Sequence, residues 1–235
     1  MLALLLVFTV SGCETAKNVI RQAAAFEIGG PALYQGIPEN PDDVIFRSWA
    51  QVCYEGPAGS LKELIENSDA VIYGEVTDVG FMESDLLINT VASIRVIEPL
   101  YGNYSAGNVR IIKEGGYLPA DVYYGIHGVN ENTVDESGRK IMDYSDEELK
   151  TKYVSYEPDG FICLKPGDKG IYFLTKTNVI KDGYWITSAP FDGEYLENQD
   201  HQFYVYLMKE DPADPEGNAF FTFEQVKEAV QNAIH

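Results

Sequence analysis

Apolar residues recur at every second position through several separate stretches, and each such stretch predicts a β-strand. Over 70–79, Ile72 and Val76 fall on one face while Tyr73, Glu75 and Thr77 fall on the other. Over 86–97, Leu86, Ile88, Ala92, Ile94 and Val96 share a single face. A third strand is expected over 108–114, ended by Gly115-Gly116. Further strands are expected over 170–175, 184–188 and 203–208, with Asp182-Gly183 supplying hairpin-turn chemistry between the first two. Helices are announced by three capping boxes, Ser60…Glu63, Ser145…Glu148 and Thr222…Gln225, in which hydroxyl and carboxylate or amide satisfy each other's backbone donors. The first opens a short helix over 61–67 with Leu61, Leu64 and Ile65 on one side. The last opens a C-terminal helix whose apolar face is Val226, Val230 and Ile234.

Between these periodic stretches lie two that carry no such rhythm. Residues 13–59 are interrupted by Gly29-Gly30-Pro31, Gly36-Ile37-Pro38, Asn40-Pro41 and Gly56-Pro57, and read as a tether with some local order. Residues 117–168 form a long polar excursion bearing one capping box and no predicted strand. Insertions of this length often carry recognition. The expected organisation is therefore a leader over 1–12, a tether over 13–59 and a β-rich domain over 60–235 with an insertion at 117–168.

The leader is an uncharged apolar run that closes on Ser11-Gly12-Cys13. It is shorter than the roughly 20 apolar residues that a membrane-spanning helix needs, and its length suits the hydrophobic region of a secretory signal peptide. Val10-Ser11-Gly12-Cys13 resembles a bacterial lipobox, although no Lys or Arg precedes Lys17 to make the usual basic start. The resemblance implies cleavage before Cys13 and acylation of it, with several chains giving durable membrane attachment where one gives only marginal binding.

Composition changes the picture in two ways. Sixteen Tyr and eleven Phe against two Trp favour half-buried pleated surfaces. The formal charge of −20, from 37 acidic against 17 basic residues, offers nothing to a phosphate backbone, so no nucleic-acid partner is expected. The same charge is repelled by anionic lipid, which leaves a covalent or hydrophobic anchor as the route to a membrane.

The strand-rich part resembles a group of uncharacterised exported bacterial lipoproteins. The opening Ser68-Asp69-Ala70-Val71, with Gly74, Val76 and Thr77, matches that group's first strand. Ile94–Gly102 follows in the place of its second, Val109–Gly116 ends in the paired glycines, and Gly167–Leu174 approximates the closing segment. About half the chain is covered, all of it by residues that serve turns and core. The resemblance implies a mainly β (α+β) fold, a small OB-like β-barrel or sandwich with a short N-terminal and a C-terminal helix. It implies export and no particular activity.

Chemistry-bearing residues are sparse. No nucleophile elbow surrounds Ser137 or Ser188, His127 and His201 stand apart, and no His or Cys pair has zinc spacing, so no catalytic residue, cofactor or metal is expected. Asp211, Asp214, Glu216 and Asn218 read as a solvated acidic loop in preference to a calcium site. Cys53 and Cys163 either pair in an oxidising compartment or remain separate buried thiols. Tyr117, Tyr123, Tyr124, Tyr153 and Tyr156 cluster in the insertion, where they either stack on a ligand or cover the core as a second layer. Three function classes stay open: a membrane-tethered module binding an envelope glycan or protein, an extracytoplasmic enzyme drawing on His127 or His201, and a structural envelope component.

Overall fold

Alternation of apolar and polar residues produces the strands, and the two faces of the strands produce two cores. The computed structural model describes residues 33–48, 61–84, 87–102, 107–158, 161–187, 193–206 and 218–234. Along them run β1 (Val44–Ser48), α1 (Leu61–Glu66), β2 (Ala70–Ser84), β3 (Leu87–Gly102), β4 (Asn108–Glu114), β5 (Gly116–Pro119), α2 (Ala120–His127), α3 (Asp146–Leu149) and β6 (Tyr153–Tyr156). β7 (Lys169–Thr177), β8 (Gly183–Ile186), β9 (Glu194–Glu197), β10 (Gln202–Tyr206), β11 (Asn218–Thr222) and α4 (Phe223–Ile234) complete the described strands and α-helices. The protein is thus mostly β, with one large sheet and a C-terminal helix. The strands of that sheet are ordered β11-β10-β9-β7-β2-β3-β4-β8, and β8 also pairs with β7. A second sheet of three strands is ordered β1-β6-β5.

β2 and β3 are the long antiparallel hairpin on which the rest is built, and its register slips at Val71/Ile72, Tyr73/Gly74 and Val76/Asp78. Such bulges bend a strand and increase its twist, which lets a sheet curl over its own face. One face carries Ile72, Val76, Ile88, Ala92, Ile94, Ile111, Tyr172 and Leu174, all buried in the first core. Because side chains alternate, Val71, Ile171, Phe173 and Tyr195 point the other way into a second core with Leu64, Ile65, Val226 and Val230. There α1 and α4 cover the sheet. Rings bind the two layers together: Tyr73 lies 5.2 Å from Phe223 and 5.7 Å from Phe203, and Tyr195 stacks on Phe221 at 5.4 Å.

Two expectations change. Residues 33–48, read as tether, are built into the fold. β1 pairs in parallel with β6, Val44 and Ile45 are buried, and Tyr34 bridges to Phe81. The breakers around it hid a five-residue strand whose partner lies over a hundred positions away. The insertion, expected to lack strands, contributes β5 and β6 and lays Leu118, Ala120, Tyr124, Ile141, Val154 and Tyr156 onto the first core. Strands of four residues are too short to show a period.

The capping boxes at Ser145 and Thr222 form with both reciprocal bonds, while Ser60 lies outside the described residues. So do Cys13, Cys53, Ser188, Asp211, Asp214, Glu216 and His235. Among the described residues no helix is long and apolar enough to cross a membrane.

Candidate functional site

The turn from β9 to β10 is held by one of its own side chains. Asn198 Oδ1 accepts from the backbone N–H groups of Asp200 and Gln202, each at 2.9 Å, and the Asn198 N–H donates to the Gln202 carbonyl at 2.8 Å. This turn sets His201 at φ +57°, a left-handed conformation in which His is enriched over most residues. The imidazole consequently reaches back to β9, with Nδ1 2.5 Å from Glu197 Oε1. On the neighbouring face Tyr73 donates its hydroxyl to Glu197 Oε2 at 2.7 Å.

Exposure differs sharply across this set. The Glu197 side chain is 11% exposed and that of His201 84%. Burial pushes the Glu197 carboxyl up, but the hydrogen bonds from His201 and Tyr73 outweigh it and hold the group below its ordinary range. The Tyr73 phenol is raised, first by burial and then by the Glu197 carboxylate. At neutral pH Glu197 is therefore a carboxylate flanked by a phenol and an imidazole. With Nδ1 directed at Glu197, Nε2 is the ring nitrogen left to hydrogen-bond an outside partner.

Glu197 also lines a shallow depression of about 190 Å³, together with Ile162, Cys163, Lys165, Asp168, Lys169 and Leu196. Asp168 accepts from the Lys165 backbone N–H at 2.7 Å, which folds this loop tightly before β7. Cys163 is a half-buried free thiol. Burial raises it to about 11, with Lys113 and Lys165 pulling the other way. It is thus protonated at neutral pH and a poor nucleophile or metal ligand. The choice between pairing with Cys53 and two separate thiols turns on a residue outside the described ones.

A buried ion pair is linked to this segment through the Ile162 carbonyl. Lys113 Nζ is 2.5 Å from Glu194 Oε2, with the two side chains 2% and 3% exposed. Nζ also donates to the Ile162 carbonyl at 2.9 Å and lies 5.5 Å from the centre of the Phe161 ring. Burial raises the Glu194 carboxyl even against the opposing pull of Lys113.

Tyr124, Tyr153 and Tyr156 of the insertion are buried, and Tyr117 and Tyr123 pack partly buried on the same core. Tyr117 meets Phe81 edge-on at 5.6 Å, and Tyr123 meets Tyr124 at 5.3 Å and His127 at 4.5 Å. Burial raises the phenols of Tyr117 and Tyr124 to about 12 each. Four of the five, Tyr117, Tyr123, Tyr124 and Tyr156, thus pack on the first core. Of the two histidines weighed in the sequence, His127 is half-buried with its Nε2 buried, whereas the His201 side chain is 84% exposed. Tyr73, Glu197, Lys113 and Glu194 were not singled out. Lys113 left a readable signal, a charge in phase with the apolar positions Val109 and Ile111. Glu194 and Glu197 left none, because β9 is only four residues long.

Among the described residues no three His, Cys, Asp or Glu side chains gather closely enough to hold a metal ion. No protein-family model matches the chain, and no curated protein matches it.

Proposed function

We propose that the chain is a lipid-anchored, extracytoplasmic binding module. In this reading an OB-like barrel carries a site for a hydroxyl-bearing ligand, such as an envelope glycan, at the depression beside His201. One observation carries the ligand class: an imidazole oriented by Glu197 and Tyr73 adjoins a depression mixing apolar Ile162 and Leu196 with charged Lys165, Asp168 and Lys169. Sugars present hydroxyls to polar groups and C–H faces to apolar ones, and such a lining serves both. The barrel reading is supported by the pairings β2–β3, β3–β4, β4–β8, β8–β7 and β7–β2, of which only β4–β8 is parallel. Attachment rests on the lipobox-like residues before Cys13 and on a charge of −20, which has no electrostatic route to anionic lipid.

Two experiments test the reading. Metabolic labelling with a palmitate analogue is expected to mark the native chain and not Cys13→Ala; equal labelling removes the anchor. Envelope glycans and envelope proteins are then screened against the full-length chain and His201→Ala in detergent. Binding of a glycan is expected to weaken about tenfold in the variant, as loss of a hydrogen bond to a charged or polar partner entails. Capture of a protein alone replaces the ligand class, and retained glycan binding in the variant removes the site.

A second reading, an enzyme using His201 as general base, draws on the same Glu197-oriented ring. It predicts turnover of the bound ligand, lost in both His201→Ala and Glu197→Gln.

A further inference from the structure

Lys113 and Glu194 come from strands that are not neighbours. β4 and β9 are separated in the large sheet by β3, β2 and β7, and the two residues by 81 positions in the chain. Their side chains nevertheless meet inside the first core. Lys113 shares its face of β4 with buried Val109 and Ile111, and Glu194 lies directly across the β7–β9 ladder from fully buried Tyr172. Phe161 covers the ammonium.

As an ion pair this arrangement is poorly completed. Glu194 Oε1 and the Tyr172 hydroxyl are both buried with no hydrogen-bond partner. Lys113 has two acceptors for three N–H groups among the described residues, the Ile162 carbonyl and Glu194 Oε2. Sealing two charges away from water is costly unless every remaining lone pair and proton is satisfied, and here neither partner is.

We propose that Lys113 and Glu194 condense to an intramolecular amide, a covalent cross-link between β4 and β9. The Nζ–Cδ bond forms and the Cδ–Oε2 bond breaks. Two of the three ammonium protons leave with Oε2 as water, and the third remains on the new amide nitrogen. No oxidant, cofactor or second substrate enters the balance. The first step is transfer of a proton from Nζ to Oε2, which yields the neutral amine and acid that react. Burial promotes this transfer, because it disfavours both charged forms. Holding the two groups in contact supplies an effective concentration on the order of 10⁵–10⁸ M. The surrounding apolar side chains limit the water that would drive hydrolysis.

The product removes the cost of the two sealed charges. Both buried charges disappear. The single amide N–H retains the Ile162 carbonyl as acceptor, and Oε1 becomes an amide oxygen opposite Tyr172.

The test is a peptide map of the full-length chain under reducing conditions. The expected result is a branched peptide joining Lys113 to Glu194, lighter than its two linear components by one water. Fragmentation places the linkage on those two residues. A chain nicked between β5 and β8 is expected to run as one band on a reducing denaturing gel. Lys113→Arg keeps the positive charge but presents a guanidinium, which does not condense, and its nicked chain is expected to separate into two. Recovery of the linear Lys113 and Glu194 peptides alone from the native chain overturns the proposal and leaves an ion pair. That result is read on the native protein, so it holds even where Lys113→Arg fails to fold.

Discussion

Single side chains in this protein are tuned mainly by burial, and at Asp135 hydrogen bonding reverses that effect. Asp135 Oδ1 accepts from the backbone N–H groups of Ser137 and Arg139 and from the Ser137 hydroxyl, and Oδ2 accepts from Tyr144. Burial pushes the carboxyl up; these bonds outweigh it and bring the group down to about 2. A folded-state value below the unfolded one means stability that is present above about pH 4 and lost as pH falls toward 2. Asp135→Asn is therefore expected to lower stability by about 2 kcal/mol at neutral pH and to flatten the acid limb of a stability-versus-pH curve. A variant with an unchanged acid limb refutes the assignment. Cys163 gives the opposite case. With its thiol at about 11, alkylation of Cys163 in a Cys53→Ser chain at pH 8 is expected to run on the order of a hundredfold slower than that of a free thiol, rising steeply above pH 10. A rate matching free cysteine at pH 8 shows that burial does not govern it. Neither behaviour is legible in the sequence. Asp135 lies in an unpatterned loop, and the convergence of the Tyr144 and Ser137 hydroxyls and two backbone N–H groups on it is set by the folded loop rather than by any sequence pattern.

Elements were legible in proportion to their length and to the strength of their end signals. β2, β3 and β4 announce themselves by alternation along part or all of their length, β7 by the apolar run 171–174, and α4 by a capping box ahead of Val226 and Val230. β1, β5, β6 and β9 are five residues or fewer, and they exist because a partner strand completes them rather than because their own pattern demands it. The paired glycines after β4 show both kinds of information. They read as a strand end, and so they are, since Gly115 takes φ +96° and Gly116 φ +147° as the chain turns from β4 into β5. A side chain at Gly115 would also strike the Phe161 ring, and one at Gly116 the Phe81 ring, which only tertiary structure reveals. At the helix level, Val226 is fully buried between α4 and the sheet. Val226→Ala is expected to cost about 2 kcal/mol through lost burial and a residual cavity. Thr222→Ala, which removes the cap of the same helix, is expected to cost about 1 kcal/mol. Chemical denaturation checks both, and a Thr222→Ala cost equal to or above that of Val226→Ala contradicts the view that packing, more than capping, holds α4.

At the scale of the whole molecule, the domain begins earlier than the run of Gly and Pro suggests. A boundary at residue 60 follows from composition, because breakers crowd the stretch before it. The structure buries Val44 and Ile45, the latter within the first core, and pairs β1 with β6. Arg47 further reaches Glu136 at 2.7 Å, and Asp43 reaches Lys152 at 2.7 Å. Exposed ion pairs of this sort add little, so the weight rests on the two apolar side chains. Each contributes roughly 1.5–3 kcal/mol when fully buried. Together they amount to a large part of the 5–15 kcal/mol by which a typical domain is stable. Removing β1 also leaves β6 with an unpaired edge above the first core, against which Val154 and Tyr156 are packed. A chain starting at residue 33 is therefore expected to unfold in urea at a clearly higher midpoint than one starting at residue 60. The shorter chain is expected to lose on the order of 4 kcal/mol or to fail to accumulate as soluble protein. Equal midpoints with equal slopes would mean that β1 is an accessory strand and that the tether reaches to α1, which returns the boundary to the place that composition alone assigns it.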